Sequence, residues 1–130
     1  MQTIKATYRT IDVEVLLHHN TILFGYSGTG KTFLFKALAE YFIENDINYI
    51  YIDYQGAYLA LDTIKSIVCD RDFILMDNAD LYMTAELYDY LKSLNNYKVI
   101  SLKDTMPLNL ENTHIMRVNY KDNSLKTIEI

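Results

Sequence analysis

The sequence predicts an α/β fold, a three-layer arrangement with helices on both faces of a mostly parallel sheet, and three observations lead to it. Strand-like apolar runs alternate with segments of helical periodicity from residue 21 to about 102. Two of these runs, 21–24 and 73–76, are continuously apolar or nearly so, as strands covered on both faces are. Three of the four glycines, Gly25, Gly28 and Gly30, lie within six residues directly after the first run. The sheet expected from this pattern has about five strands, with N-terminal strands and a C-terminal hairpin added to it.

Taken in order, 2–8 and 11–17 read as a pair of strands, with Ile11, Val13 and Val15 alternating in the second. After the glycine segment, Leu34, Leu38, Tyr41 and Phe42 recur at helical spacing and predict a helix over 31–44. Residues 47–54 are β-rich. Leu61, Ile64 and Val68 share one helical face within 57–68, and Leu87, Leu91 and Leu94 mark a helix over 81–94, with Asp80 as its expected cap. Strands follow at 97–102, 114–120 and 125–130, the last two joined by the turn signal Lys121-Asp122-Asn123-Ser124. Right-handed crossovers between parallel strands bring the strand carboxyl ends to one edge, where ligands bind in such sheets. The glycine segment, Asp53, Asp77 and Lys103-Asp104 all fall at those ends.

Composition narrows the possibilities. A chain of 130 residues fits one domain spanning 1–130. The formal charge of −5 and three scattered arginines, Arg9, Arg71 and Arg117, disfavour a broad surface for a phosphate backbone, so nucleic acid is not the expected partner. Cys69 is the only cysteine, which excludes an internal disulfide and leads us to expect a buried thiol. No apolar run approaches the roughly 18 residues of a membrane span, and no secretory leader is evident, so a cytoplasmic location without membrane contact is expected.

The segment Gly25-Tyr26-Ser27-Gly28-Thr29-Gly30-Lys31-Thr32 satisfies G-x-x-x-x-G-K-[ST] at every fixed position. Glycines let the chain curl so that successive N–H groups point inward at an anion. The helix that follows adds unpaired N–H groups and the positive end of its dipole, which brings Phe33 into the same cradle. Lys31 supplies an ammonium for the β- and γ-phosphates, and Thr32 a hydroxyl for Mg²⁺. An apolar strand before and an amphipathic helix after give the pattern its required context. Residues 73–76 form a second buried strand that ends at Asp77, a carboxylate suited to hold Mg²⁺ directly or through water.

These segments, FGYSGTGKT (24–32), FILMDNAD (73–80) and YKVISLKD (97–104), resemble the P-loop NTPases, and among them the ATPase branch with AAA+ and ABC-type cores. The resemblance covers about residues 11–105. It implies that strand 97–102 inserts between the glycine-loop strand and the Asp77 strand, placing Lys103 or Asp104 at the sensor position facing the γ-phosphate. It also exposes departures. The glutamate that usually follows the strand-end aspartate is replaced by Asn78, whose amide orients water but accepts no proton at neutral pH. Asp80 lies two residues on. Neither a C-terminal helical lid nor an ABC signature is present, and no arginine is placed as a finger.

The expected ligands are therefore ATP, with GTP as the alternative, and Mg²⁺; Lys31, Asn78 and Asp104 are the candidate catalytic residues. A minimal ATPase or nucleotide-dependent switch is the leading reading, acting on another protein or on a second copy of itself. A small-molecule kinase and a non-catalytic nucleotide-binding module are the alternatives. His18 and His19, adjacent on an extended chain, point to opposite faces and are not expected to share a metal. Tyr49 and Tyr51 share a strand face and are expected to pack, whereas Tyr26 occupies a variable loop position near the ribose or an interface.

Overall fold

Among the residues described by the computed structural model, namely 1–26, 28–104 and 106–130, eight strands form one sheet. They are β1 (Gln2–Tyr8), β2 (Ile11–Leu17), β3 (Asn20–Phe24), β4 (Tyr49–Ile52), β5 (Phe73–Met76), β6 (Tyr97–Leu102), β7 (His114–Lys121) and β8 (Ser124–Glu129). The helices are α1 (Lys31–Glu44), α2 (Leu61–Val68) and α3 (Ala85–Lys92). The strand order is β1-β2-β8-β7-β3-β6-β5-β4.

The sheet is mixed and eight-stranded, which corrects the expectation of a mostly parallel sheet of about five strands with N-terminal strands and a C-terminal hairpin added. β1–β2 and β7–β8 are antiparallel hairpins, while β8 pairs in parallel with β2 and β7 in parallel with β3. The C-terminal hairpin thus wedges between the N-terminal hairpin and β3 and welds both into one surface. The physical cause lies in Val118 and Leu125, which carry apolar contacts toward α1, so the hairpin gains more by joining the sheet than by standing off it. The positive φ angles of Asp122 and Asn123 (53° and 60°) make the tight turn that the sequence signals.

Alternation along the strands sorts side chains to two cores. Val13, Val15, Leu17, Leu23, Phe73, Leu75 and Val99 face α1, which contributes Leu34, Phe35, Leu38 and Phe42. Ile22, Ile52, Ile74, Met76, Ile100 and Leu102 face the opposite way, toward Ile64 and Val68 of α2 and Leu87, Tyr88 and Leu91 of α3. Tyr49 and Tyr51 pack on Phe42 and Phe35 of α1.

Two predicted helices are shorter than their periodicity implies. Residues 54–58 form a 3₁₀ turn and α2 begins only at Leu61; likewise 79–81 is a 3₁₀ turn and α3 begins at Ala85. The cap of α3 is Thr84, whose hydroxyl accepts the Leu87 N–H at 3.1 Å, so Asp80 is released from the capping role expected of it. Cys69 closes α2 and is exposed, not buried, because the helix ends at the sheet's rim. His18 stacks on His114 and His19 on Tyr97, with ring centroids 3.5 and 4.5 Å apart, so the two adjacent imidazoles diverge. Among the described residues, no helix is long and apolar enough to cross a membrane.

Candidate functional site

The turn from β3 into α1 carries the glycine loop. Gly25, Gly28 and Gly30 all have positive φ (150°, 81° and 95°), angles that side chains with a Cβ rarely adopt. Gly30 is constrained twice, since a Cβ there would lie 3.1 Å from Leu125 Cδ1 in the C-terminal hairpin. Within the loop the Thr29 hydroxyl donates to the Tyr26 carbonyl at 3.0 Å, which closes the curl. Tyr26 itself is 81 % exposed. Ser27, predicted to belong to the same cradle, lies outside the described residues.

Lys31 opens α1 and is only 6 % exposed. Its Nζ turns back into the loop and donates to the Gly25 carbonyl, with the Leu102 carbonyl at 3.4 Å on the far side. Burial pulls its pKa below the ordinary lysine value, and the carboxylates of Asp80 and Asp77 oppose that shift. The ammonium is thus held among carbonyl dipoles at the strand ends, where an anion would meet it. Phe33 reaches the same cleft while its ring packs edge-on against Tyr8, centroids 5.1 Å apart.

Asp77 stands at the end of β5 and is 2 % exposed. Its Oδ2 accepts from the Thr32 hydroxyl at 2.7 Å and from Tyr51 Oη at 3.3 Å, and its Oδ1 accepts the Asn78 N–H at 2.9 Å. Tyr82 Oη donates to the Asp77 carbonyl at 2.8 Å and lies 3.2 Å from the Ile52 carbonyl, tying the tips of β5 and β4 together. Both tyrosines titrate well above the usual phenol range, because burial and then the neighbouring aspartates penalise a phenolate. They therefore act as hydrogen-bond donors throughout the physiological range.

Strand β6 lies between β3 and β5, the insertion that the resemblance implies. At its end Ser101 and Lys103 line the cleft, and Asp104 is exposed beside them. Asp80, instead of capping a helix, accepts the Lys103 N–H with both carboxylate oxygens at 2.9 and 3.1 Å, which fixes the start of that loop. Asn78 sits in the left-handed region (φ 50°, ψ 40°), which asparagine tolerates, and its Nδ2 donates to Asp53 Oδ1 at 2.7 Å. A cleft of about 420 Å³ opens here, lined by Gly28, Gly30, Lys31, Thr32, Asp77 and Asn78 among others, within the size range of small-molecule sites. A larger depression of about 790 Å³ lies at the opposite pole, among turn residues such as Asp46, Asn48, Arg71 and Asn96 that precede β4, β5 and β6. It shares no residue with the glycine loop.

Sequence reasoning misses Tyr51, Tyr54 and Tyr82 as neighbours of this cleft. Tyr51 is legible in principle: it lies two residues before Asp53, on the strand face that looks toward α1 and Asp77. Tyr82 carries no signal, since the periodicity around it reads as helix where a 3₁₀ turn presents it.

A family model described as the central domain of the helicase HerA matches residues 5–129, nearly the whole chain. The chain belongs to this family. The HerA-type central domain is a P-loop ATPase-related, nucleotide-binding unit, which agrees with a glycine loop at the end of a buried strand and with the curled-back Lys31. No individual curated protein matches the sequence.

Proposed function

We propose that this HerA-type domain binds Mg·ATP at the glycine loop and works as a minimal ATPase or nucleotide-dependent switch, with turnover that is slow in the isolated chain or raised by a partner. The observation that carries the reading is Lys31 Nζ lodged against the Gly25 carbonyl with Thr32 and Asp77 paired beside it. In this reading the polyphosphate takes the ammonium away from the carbonyls. Gly25 to Phe33, with Tyr26, Ser27, Gly28, Thr29 and Gly30 between, surround the phosphates with N–H groups.

The residues present fit Mg²⁺. Thr32 Oγ1 and Asp77 Oδ2 are hard oxygens 2.7 Å apart, close to the roughly 2.9 Å expected between adjacent ligands of an octahedral ion at 2.0–2.1 Å. Thr32 and Asp77 would hold the ion, which supplies charge neutralisation of the β- and γ-phosphates. Asn78, at the position where related ATPases carry glutamate, orients water without accepting its proton, and Lys103 or Asp104 senses the γ-phosphate. Slow hydrolysis follows from that substitution.

The matched family carries a helicase in its description, yet the net charge of −5 and the scattered arginines of this chain favour a protein partner or a second copy over nucleic acid. No guanine-reading N-K-x-D segment occurs, so ATP is placed before GTP. Titration calorimetry with ATP, GTP and ADP in Mg²⁺, alongside sizing of the free and bound chain, tests the reading. Micromolar Mg·ATP binding with few turnovers per minute is expected. No detectable binding, or turnover of many per second by the isolated monomer, contradicts it.

A further inference from the structure

The residue after Asp77 lacks a carboxylate, but its side chain is hydrogen-bonded to one. Asp53, at the tip of β4, stands one strand away from β5 and pairs with Asn78 through Oδ1 and Nδ2 at 2.7 Å. That bond uses the amide's donor side, which leaves the Asn78 carbonyl oxygen to accept a hydrogen bond from water. Among the described residues, the second carboxylate oxygen of Asp53 accepts no hydrogen bond, so one oxygen is committed to Asn78 and the other is free to take a proton.

The two strand tips that carry this pair are locked together. The Asp77 N–H donates to the Ile52 carbonyl at 2.9 Å, and the Tyr82 hydroxyl reaches the carbonyls of both Ile52 and Asp77. Gly56, in the 3₁₀ turn that follows Asp53, lets the Tyr82 ring lie so close that a Cβ there would sit 2.7 Å from it. The turn also begins with Gly56 N–H donating to the Asp53 carbonyl at 2.9 Å, and the Gln55 side chain accepts the Asp53 N–H at 3.2 Å. Asp53 is therefore fixed beside Asn78, which lines the cleft, by backbone and side chain alike. The bond to Asn78, 25 residues away, is what sets Asp53 apart from an ordinary turn aspartate.

We infer that Asp53 is the catalytic base of this domain, with Asn78 as the water-orienting partner, so that amide and carboxylate have exchanged positions between the tips of β4 and β5. This rests on the Mg·ATP reading given above. In the step, the oxygen of water bonds to the γ-phosphorus and the bond from that phosphorus to the bridging oxygen breaks. Its electron pair leaves with ADP, and the proton of the water passes to the free oxygen of Asp53, to be returned to solvent. Atoms and charge balance without any further reactant.

The test is single-turnover hydrolysis of stoichiometric ATP by the full chain at high protein concentration, with Mg·ATP affinity measured in parallel for each variant by calorimetry. Asp53→Asn keeps the size and hydrogen-bonding reach of the side chain; it is expected to hold affinity within about threefold and slow the chemical step by about 10²–10⁴-fold, the usual worth of a positioned base. The exchange variant, Asp53→Asn with Asn78→Asp, restores one amide and one carboxylate and is expected to recover at least a tenth of the wild-type rate. An unchanged rate in Asp53→Asn overturns the inference. So does an exchange variant that binds Mg·ATP but stays as slow as Asp53→Asn, or a wild-type chain that binds Mg·ATP without measurable turnover. Failure of the wild type to bind Mg·ATP removes the underlying functional reading as well, and is distinguished by the calorimetry alone.

Discussion

The hydroxyl of Thr32, in the first turn of α1, donates a 2.7 Å hydrogen bond to Oδ2 of Asp77 at the end of β5, joining residues 45 positions apart in sequence. An unpaired carboxylate so deeply buried would be costly, and Thr32 and Tyr51 together compensate it. The same two oxygens can turn from each other to an ion. Thr32→Ala and Asp77→Asn are therefore expected to leave ATP binding in EDTA unchanged and to remove the gain in affinity that Mg²⁺ brings, by roughly tenfold or more, each tenfold being about 1.4 kcal/mol. Calorimetry with and without the metal checks it. An equal loss in both conditions would assign the pair to the fold instead.

Gly30 is expected to be intolerant for two separable reasons. Its φ of 95° disfavours any Cβ, and a Cβ there would press on the Leu125 side chain at 3.1 Å. Gly30→Ala should destabilise the fold by about 1–3 kcal/mol in urea unfolding and weaken ATP binding. Adding Leu125→Ala relieves the contact but also strips a buried core side chain, so the double variant should be less stable than Gly30→Ala alone.

Lys98 gives a pH signature. It is 1 % exposed, donates to the Leu94 carbonyl at 2.7 Å, and burial pushes its pKa down to about 8 from 10.5. Between these values the unfolded chain binds a proton that the folded chain does not, so stability rises with pH from about 8 toward 10 and falls as pH drops through that window. Above 10 the buried phenols reverse the trend, because Tyr51, Tyr82 and Tyr88 keep protons that the unfolded chain loses. Lys98→Met should flatten the rise between pH 8 and 10 relative to wild type in denaturant titrations; Lys31, whose pKa is also lowered by burial, leaves a residual slope. An unaltered slope in the variant would show that Lys98 is not the group responsible.

The parts of this architecture that local chemistry dictates are readable in the order of the amino acids alone. The glycines of 25–30, the continuous apolar runs ending at Phe24 and Met76, and the helical spacing of Leu34, Leu38 and Phe42 each express a constraint that acts within a few residues. Pairings set by distant segments are not readable in that way. Nothing in β7 or β8 announces that the C-terminal hairpin lodges between β2 and β3, since that choice depends on apolar area supplied by α1 and on the parallel edge of β2. The tight turn at Arg9-Thr10, both in the left-handed region, also lacks the usual Asn-Gly signal; it is braced from afar by Asn123, whose Nδ2 donates to the Thr10 carbonyl at 2.7 Å. In the site, Asp53 reads as an ordinary turn residue because its partner, Asn78, follows another strand.

The most direct test of the account is a crystal structure with Mg²⁺ and a slowly hydrolysed ATP analogue. The expected result is Lys31 Nζ drawn off the carbonyls of Gly25 and Leu102 onto β- and γ-phosphate oxygens, with Thr32 and Asp77 turned toward the ion. A nucleotide bound elsewhere on the molecule, with Lys31 still hydrogen-bonded to Gly25, would contradict it.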